Sequence, residues 1–198
     1  MNSTKVRMKQ VALPLFARKG YEGTTMNEIA ELVGIKKASL YAHYKGKEEL
    51  FFAIYEELEQ EYVSLTQRIM SECEGGSAED KLRQMFEQYV GYYVRKPDIQ
   101  AFWIQMLFFT PSDVYSKFYA QIKEYQNTVE KWIEEAIAEG IRTGIIPNSD
   151  PAKMLFAYLS FREGLVNGII FLPEMNSEES IRSMWSYFWM GIKGRCNE

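Results

Sequence analysis

An all-α fold, with a small three-helix unit at the N-terminus joined to a larger helical domain, is predicted by three observations. Apolar residues recur at three- and four-residue spacing along most of the chain, whereas no segment keeps the two-residue period of a half-buried strand. Turn and capping residues cut that pattern into short pieces before residue 47 and long ones after it. Charge divides at the same place. Through Lys47, nine Lys and Arg face three Glu, a surplus of +6, so the remainder carries −10 within a net charge of −4. With 198 residues, 46% of them hydrophobic, the chain can bury a substantial core, which excludes disorder as its main state.

The first helix is predicted over residues 4 to 19, where Val11, Ala12, Leu15 and Phe16 share one face and Gly20 ends it as a C-cap. Pro14 lies inside this helix, removes a backbone hydrogen bond and clashes with the Gln10 carbonyl, so a kink is expected there. Thr25-Met26-Asn27-Glu28 reads as a capping box opening a second helix to Val33. Gly34 provides a tight turn, and a short third helix runs over residues 36 to 44 with Leu40 and Tyr44 toward the core. A long helix follows from Lys47 to about Ser71. After the turn Glu74-Gly75-Gly76-Ser77, amphipathic helices are predicted over 78–96 and 97–108, and Pro111 opens another to Thr143. Asp150-Pro151 pairs an N-cap with proline at N1 and starts a helix to Phe171; Ser177 caps a last one through Lys193.

Several function classes are disfavoured. The N-terminus has no apolar segment ending in a small-residue cleavage site, so a cytoplasmic location is expected. The apolar stretch from Met154 to Leu172 is interrupted by Arg162, Glu163 and Asn167, which points to a buried soluble helix and away from a membrane partner. Cys73 and Cys196 are far apart and form neither a metal-type pair nor an expected disulfide. His43 is the one histidine, too few for a histidine-rich metal site or a conventional triad. The sequence has no G-x-S-x-G elbow, G-x-G-x-x-G fingerprint or G-x-x-x-x-G-K-[ST] loop. Neither an enzyme nor a cofactor is expected.

Two short helices about a glycine turn, in the basic part of the chain, have the physics of a helix-turn-helix: one helix crosses the nucleic-acid backbone and the next enters the major groove. Here the residues also resemble a known family. Phe16-Ala17-Arg18-Lys19-Gly20-Tyr21, Thr24-Thr25, Ile29-Ala30, Gly34-Ile35, Ser39-Leu40-Tyr41-Ala42-His43-Tyr44 and Lys47-Glu48-Glu49-Leu50 are similar to the N-terminal signature of the tetracycline-repressor (TetR) family. The resemblance covers residues 5 to 52. It implies a DNA-binding domain over 1–47, a ligand-binding and dimerisation domain over 48–198, and a homodimer released from a palindromic operator by a small-molecule effector.

Carried over by position, the family's phosphate contacts fall on Thr25, Tyr41 and Lys47, while Lys36, Lys37, Ala38, Ser39 and His43 occupy the recognition-helix stretch. Hydroxyls and ammonium groups suit phosphate oxygens, Lys37 can also reach a guanine edge, and small Ala38 and Ser39 allow close approach to bases. The alternatives are plain surface charge for Lys36, Lys37 and Lys45, and core cover for Tyr41. Lys36 departs from the serine or threonine that often caps the family's recognition helix, and Pro14 departs from its first helix.

In the larger domain Phe86, Tyr89, Tyr93, Phe102, Trp103, Met106, Phe109, Tyr125 and Trp132 are either ordinary core or the lining of an apolar effector pocket with hydroxyls for direction. They suggest a largely hydrophobic effector. The last two helices carry Leu155, Leu159, Val166 and Ile170, and Met184, Trp185, Phe188, Trp189 and Ile192, a supply suited to a four-helix interface between two copies. Arg162 and Glu163 serve as interface register, as a ligand contact or as a surface ion pair. Repression is the expected sign of regulation, with activation left open because operator position is not encoded in the chain.

Overall fold

The computed structural model describes residues 4–169 and 171–193, apart from the side chains of residues 120–122, 125 and 173. Nine α-helices and one 3₁₀ turn are seen among these residues, and no strand. They are α1 (Thr4–Gly23), α2 (Met26–Val33), α3 (Lys37–His43), α4 (Lys47–Glu72), α5 (Ala78–Arg95), α6 (Pro97–Phe109), α7 (Ser112–Arg142), α8 (Pro151–Gly168) and α9 (Glu178–Ile192), with the 3₁₀ turn at Pro173–Met175. None of the described helices is long and apolar enough to cross a membrane.

The chain forms two compact units, one of residues 1–62 and 96–122, the other of 63–95 and 123–198. In the first, α1 packs most extensively against α6 and then against α2. Its centre is Phe51 of α4, whose ring meets Phe16 at 4.9 Å edge-on, Phe102 at 4.9 Å and Phe118 at 6.0 Å. Tyr55, one turn on, meets Phe118 and Trp103. Burying each such ring contributes about 1.5–3 kcal/mol, with somewhat more from edge-to-face geometry. Tyr55 donates its hydroxyl proton to Glu59 at 2.7 Å, and burial raises the phenol's pKa further above its ordinary value. In the second unit α5 packs against α8 and α9. Tyr158 is buried there and donates to the Leu82 carbonyl at 2.9 Å, while Phe86, Phe161, Trp185 and Phe188 form a ring cluster.

Three local expectations change. The dihedral break in α1 falls at Gly20 (φ 69°, ψ −178°), not at Pro14, which stays within the helical run and accepts at its carbonyl from Arg18 Nε at 3.1 Å. Glycine lacks the Cβ that forbids this backbone region, so the turn after Lys19 forms where the chain is least hindered. Thr25 caps α2 as expected, accepting from the Glu28 N–H at 3.2 Å, but the Glu28 carboxylate pairs with Lys19 at 2.5 Å instead of reaching back to the cap. Finally, α8 ends at Gly168, and the stretch read as a buried helix is two-sided: Tyr158, Arg162 and Val166 are buried whereas Phe156, Phe171 and Leu172 are exposed.

Gly20 also sits under the Gln105 side chain: a Cβ there would lie 2.7 Å from Gln105 Oε1. Gly20→Ala is expected to cost about 1–3 kcal/mol through the glycine-only backbone region, with the clash added. Urea unfolding of Gly20→Ala and of Gly20→Ala/Gln105→Ala checks this: the second change recovers only the clash, so full recovery would refute the backbone account.

Candidate nucleic-acid interface

α2 and α3 are joined by a turn whose hydrogen bonds are closed locally. Gly34 adopts the left-handed conformation (φ 75°, ψ 37°); its N–H donates to the Glu31 carbonyl at 3.0 Å, and the Ile35 N–H donates to the Ala30 carbonyl at 3.0 Å. This pattern satisfies the end of α2 and reverses the chain at once. Lys36 is the N-cap of α3 and supplies no side-chain bond, so the start of α3 relies on backbone bonds from Ser39 and Leu40 to the Lys36 carbonyl. Leu40 is fully buried and Tyr44 nearly so, which seats the helix against the core as the spacing predicted.

With Leu40 turned inward, Lys36, Lys37, Ala38, Ser39 and Tyr41 are exposed, His43 is half-buried, and Thr25 is exposed at the start of α2. The Lys37 ammonium stands 5.8 Å above the centre of the Tyr41 ring. Lys47, at the start of α4, lies 4.4 Å over the Tyr21 ring and donates to the Glu22 carbonyl at 3.5 Å. Tyr21 stands in the signature stretch quoted from the sequence but was given no role there. Burial, then the charges of Glu48, Glu22 and Asp113, raises its hydroxyl pKa, keeping it a neutral platform and hydrogen-bond donor. Lys5 similarly lies 5.6 Å over Tyr44.

The lysines of this unit fall into two groups. Lys9 pairs with Glu57, Lys19 with Glu28, Lys96 with Glu61 and Lys117 with Glu48. Among the described residues, Lys5, Lys36, Lys37, Lys45 and Lys47 have no carboxylate within ion-pair distance. Uncompensated ammonium groups and hydroxyls around a short exposed helix offer phosphate oxygens what they need, while the small residues leave room for base edges.

The residues read as an effector site are divided between the two units. Phe86, Tyr89 and Tyr93 lie on α5 in one; Phe102, Trp103, Met106 and Phe109 lie on α6 in the other, where Phe102 and Met106 are fully buried and Phe109 is 66% exposed. The Tyr125 side chain lies outside the described residues. Of the residues read as a dimer face, Arg162, Val166, Trp185 and Trp189 are already buried within the chain, while Leu155, Leu159 and Phe188 are half-buried. Ile170 lies outside the described residues.

An all-helical chain with a helix-turn-helix at its basic end is the class this geometry defines. A family model described as bacterial regulatory proteins, tetR family, matches residues 10–54. IcaR of Staphylococcus aureus (strain Newman), the negative transcriptional regulator of the biofilm operon icaADBC, is 32% identical over 127 residues, which are 62% of this chain and 63% of the relative. The chain thus spans less than two thirds of that relative's length. Among solved structures, PfmR from Thermus thermophilus, a TetR family transcriptional regulator, aligns with a TM-score of 0.72 at 24% identity, covering 94% of this chain and 95% of its own. The transcriptional regulator FadR from Bacillus subtilis, in complex with stearoyl-CoA, aligns with a TM-score of 0.69 at 16% identity over 94% and 98%. At these identities the likeness concerns the fold. Residues 10–54 are thus similar to the N-terminal domain of the tetR family of bacterial regulatory proteins.

Removing a phosphate contact should weaken binding to every DNA sequence alike. Lys47→Ala is expected to flatten the slope of log affinity against log salt by about 0.9, whereas Lys37→Ala should also relax base preference. Titrations of a fixed and a scrambled duplex across salt concentrations measure both; an unchanged slope for Lys47→Ala would remove it from the interface.

Proposed function

We propose that this chain is a transcriptional repressor that binds a palindromic operator as a homodimer and is released by a small, largely hydrophobic effector. The observation that carries the reading is the set of uncompensated lysines around α3, on a basic segment whose other lysines are largely ion-paired. In this reading residues 1–47 bind DNA, residues 48–198 bind the effector and dimerise, and Thr25, Tyr41 and Lys47 hold phosphates while Lys37, Ala38, Ser39 and His43 face the bases. Kinship with IcaR, a negative regulator, supports the sign.

The dimer reading draws on α8 and α9. Their inward residues are used by the chain itself, so the surface we assign to a second copy is the other face: Phe156 (74% exposed) beside small Ala157, Ser160 and Gly164, and Tyr187 (63%) with Met190 (64%). Large apolar side chains next to small ones allow two helix pairs to approach closely. A symmetric dimer then reads two half-sites about 34–36 Å apart, or a multiple of that. The effector reading rests on the aromatic supply of the helical body and on the acyl-CoA complex of FadR. Swinging the operator from nearly all bound to nearly all free requires a preference of about 10⁴-fold, roughly 5.5 kcal/mol, for the released form.

Selection from a random DNA pool at moderate salt tests the operator reading: the wild type should enrich a palindrome that Lys37→Ala/Tyr41→Ala fails to select, and no enrichment by the wild type would overturn it. Light scattering tests the interface. Tyr187→Glu/Met190→Glu should shift the chain from dimer to monomer while its helical circular dichroism stays intact, and an unaltered dimer would place the interface elsewhere.

A further inference from the structure

Lys5 of α1 carries no role in the sequence reading, yet its ammonium stands 5.6 Å from the centre of the Tyr44 ring, within reach of a cation–π contact. Tyr44 is the C-cap of α3. Its N–H donates to the Leu40 carbonyl at 3.0 Å, and at 5% exposure its ring is fixed in the core. Lys5 is therefore held, from a different helix, at the end of α3 opposite Lys36 and Lys37, about 10 Å away along a seven-residue helix. Lys47 is held in the same manner from α4, 4.4 Å over the Tyr21 ring.

The charge on Lys5 is not neutralised within the chain. Among the described residues it has no carboxylate at ion-pair distance, whereas Lys9, one turn on along the same side of α1, pairs with Glu57. The two carboxylates whose charges reach Tyr44 are both engaged, Glu57 by Lys9 and Glu49 by the Lys45 N–H. Nor does Lys5 serve its own helix: it lies in the first turn of α1, which holds no acidic residue and where the helix dipole disfavours a cation. An α-helix with its side chains is about 10–12 Å across and the major groove about 12 Å wide, so a helix seated there fills the groove and its neighbours meet the groove walls. Those walls are phosphate, with one charge about every 1.7 Å of duplex. We propose that Lys5 is a further phosphate contact, the counterpart on α1 of Lys47 on α4, so that α3 is flanked by ring-held ammonium groups from two other helices. This rests on the DNA reading given above and adds a contact outside the positions carried over from the resemblance.

Fluorescence anisotropy of the full chain with a labelled duplex of random sequence, carried from about 50 to 200 mM salt, reads how many phosphates the protein neutralises. Lys5→Ala should flatten the slope of log affinity against log salt by about 0.9 per protomer, and Lys5→Ala/Lys47→Ala by about twice that, with the helical circular dichroism unchanged. Lys5→Arg keeps the charge and should keep the slope. Lys9→Ala removes an equal charge from the same helix, but one already engaged by Glu57, and should flatten the slope less. An unchanged slope for Lys5→Ala beside a flattened one for Lys47→Ala would overturn the contact and leave the DNA reading standing. Equal flattening by Lys9→Ala would also overturn it, by reducing the effect to the general charge of the basic segment. No binding by the wild type at the lowest salt sinks the DNA reading, and the contact with it.

Discussion

The seating of α3 by Leu40 is the constraint on which the proposed DNA surface depends. A seven-residue helix cannot sustain itself, since isolated helices shorter than about 12–15 residues are marginal in water. Lys36 adds no side-chain cap, so α3 holds its shape through the buried Leu40, the nearly buried Tyr44 and the Gly34 turn that delivers it. Nearly everything else on the helix is free to face outward. One inward residue per turn is what allows Lys36, Lys37, Ala38, Ser39 and Tyr41 to share an exposed surface without costing the unit its core.

That surface gains its charge by local sorting. The basic segment would be an ordinary solvated one if every lysine had a partner, as Lys9 and Lys19 do. Instead the paired lysines lie away from α3, and those on or beside it stand over tyrosine rings or in solvent. A ring holds an ammonium in place without neutralising it, so Tyr21 and Tyr41 orient Lys47 and Lys37 while leaving their charge available to phosphate. The acidic remainder of the chain has a complementary effect, because a net charge of −10 disfavours DNA on any other face.

The first three helices were legible because each boundary carries a chemically specific signal: Gly20, Thr25, Gly34. Even there the competition between signals was not. Pro14 is the stronger helix breaker by propensity, yet the break falls at Gly20, where the chain needs a conformation only glycine enters easily. Glu28 has the spacing of a capping box, yet an ion pair with Lys19, nine residues away, claims its carboxylate. In α8 and α9 the obstacle was different. Apolar residues lie all round these helices, so periodicity could establish that they are helices but not which face turns inward; Phe156 and Tyr158, two positions apart, end on opposite sides. The aromatic residues of α5 and α6 were grouped by composition, and composition holds no information on which compact unit each helix joins.

The size of the proposed switch bears on the effector's chemistry. Burial of apolar groups contributes about 0.8 kcal/mol per methylene, so a preference of about 5.5 kcal/mol corresponds to roughly seven methylenes buried in the released form and not in the DNA-bound one. A ligand held by polar contacts alone would need several charge-assisted bonds made in one form and broken in the other, and the buried described part of this chain offers a single charged group, Arg162. In the proposed switch an apolar body would therefore supply most of the differential energy. Tight binding is not enough. An effector buried equally in both forms shifts no population however strongly it binds, so the proposed release would require it to be buried differently in the two states.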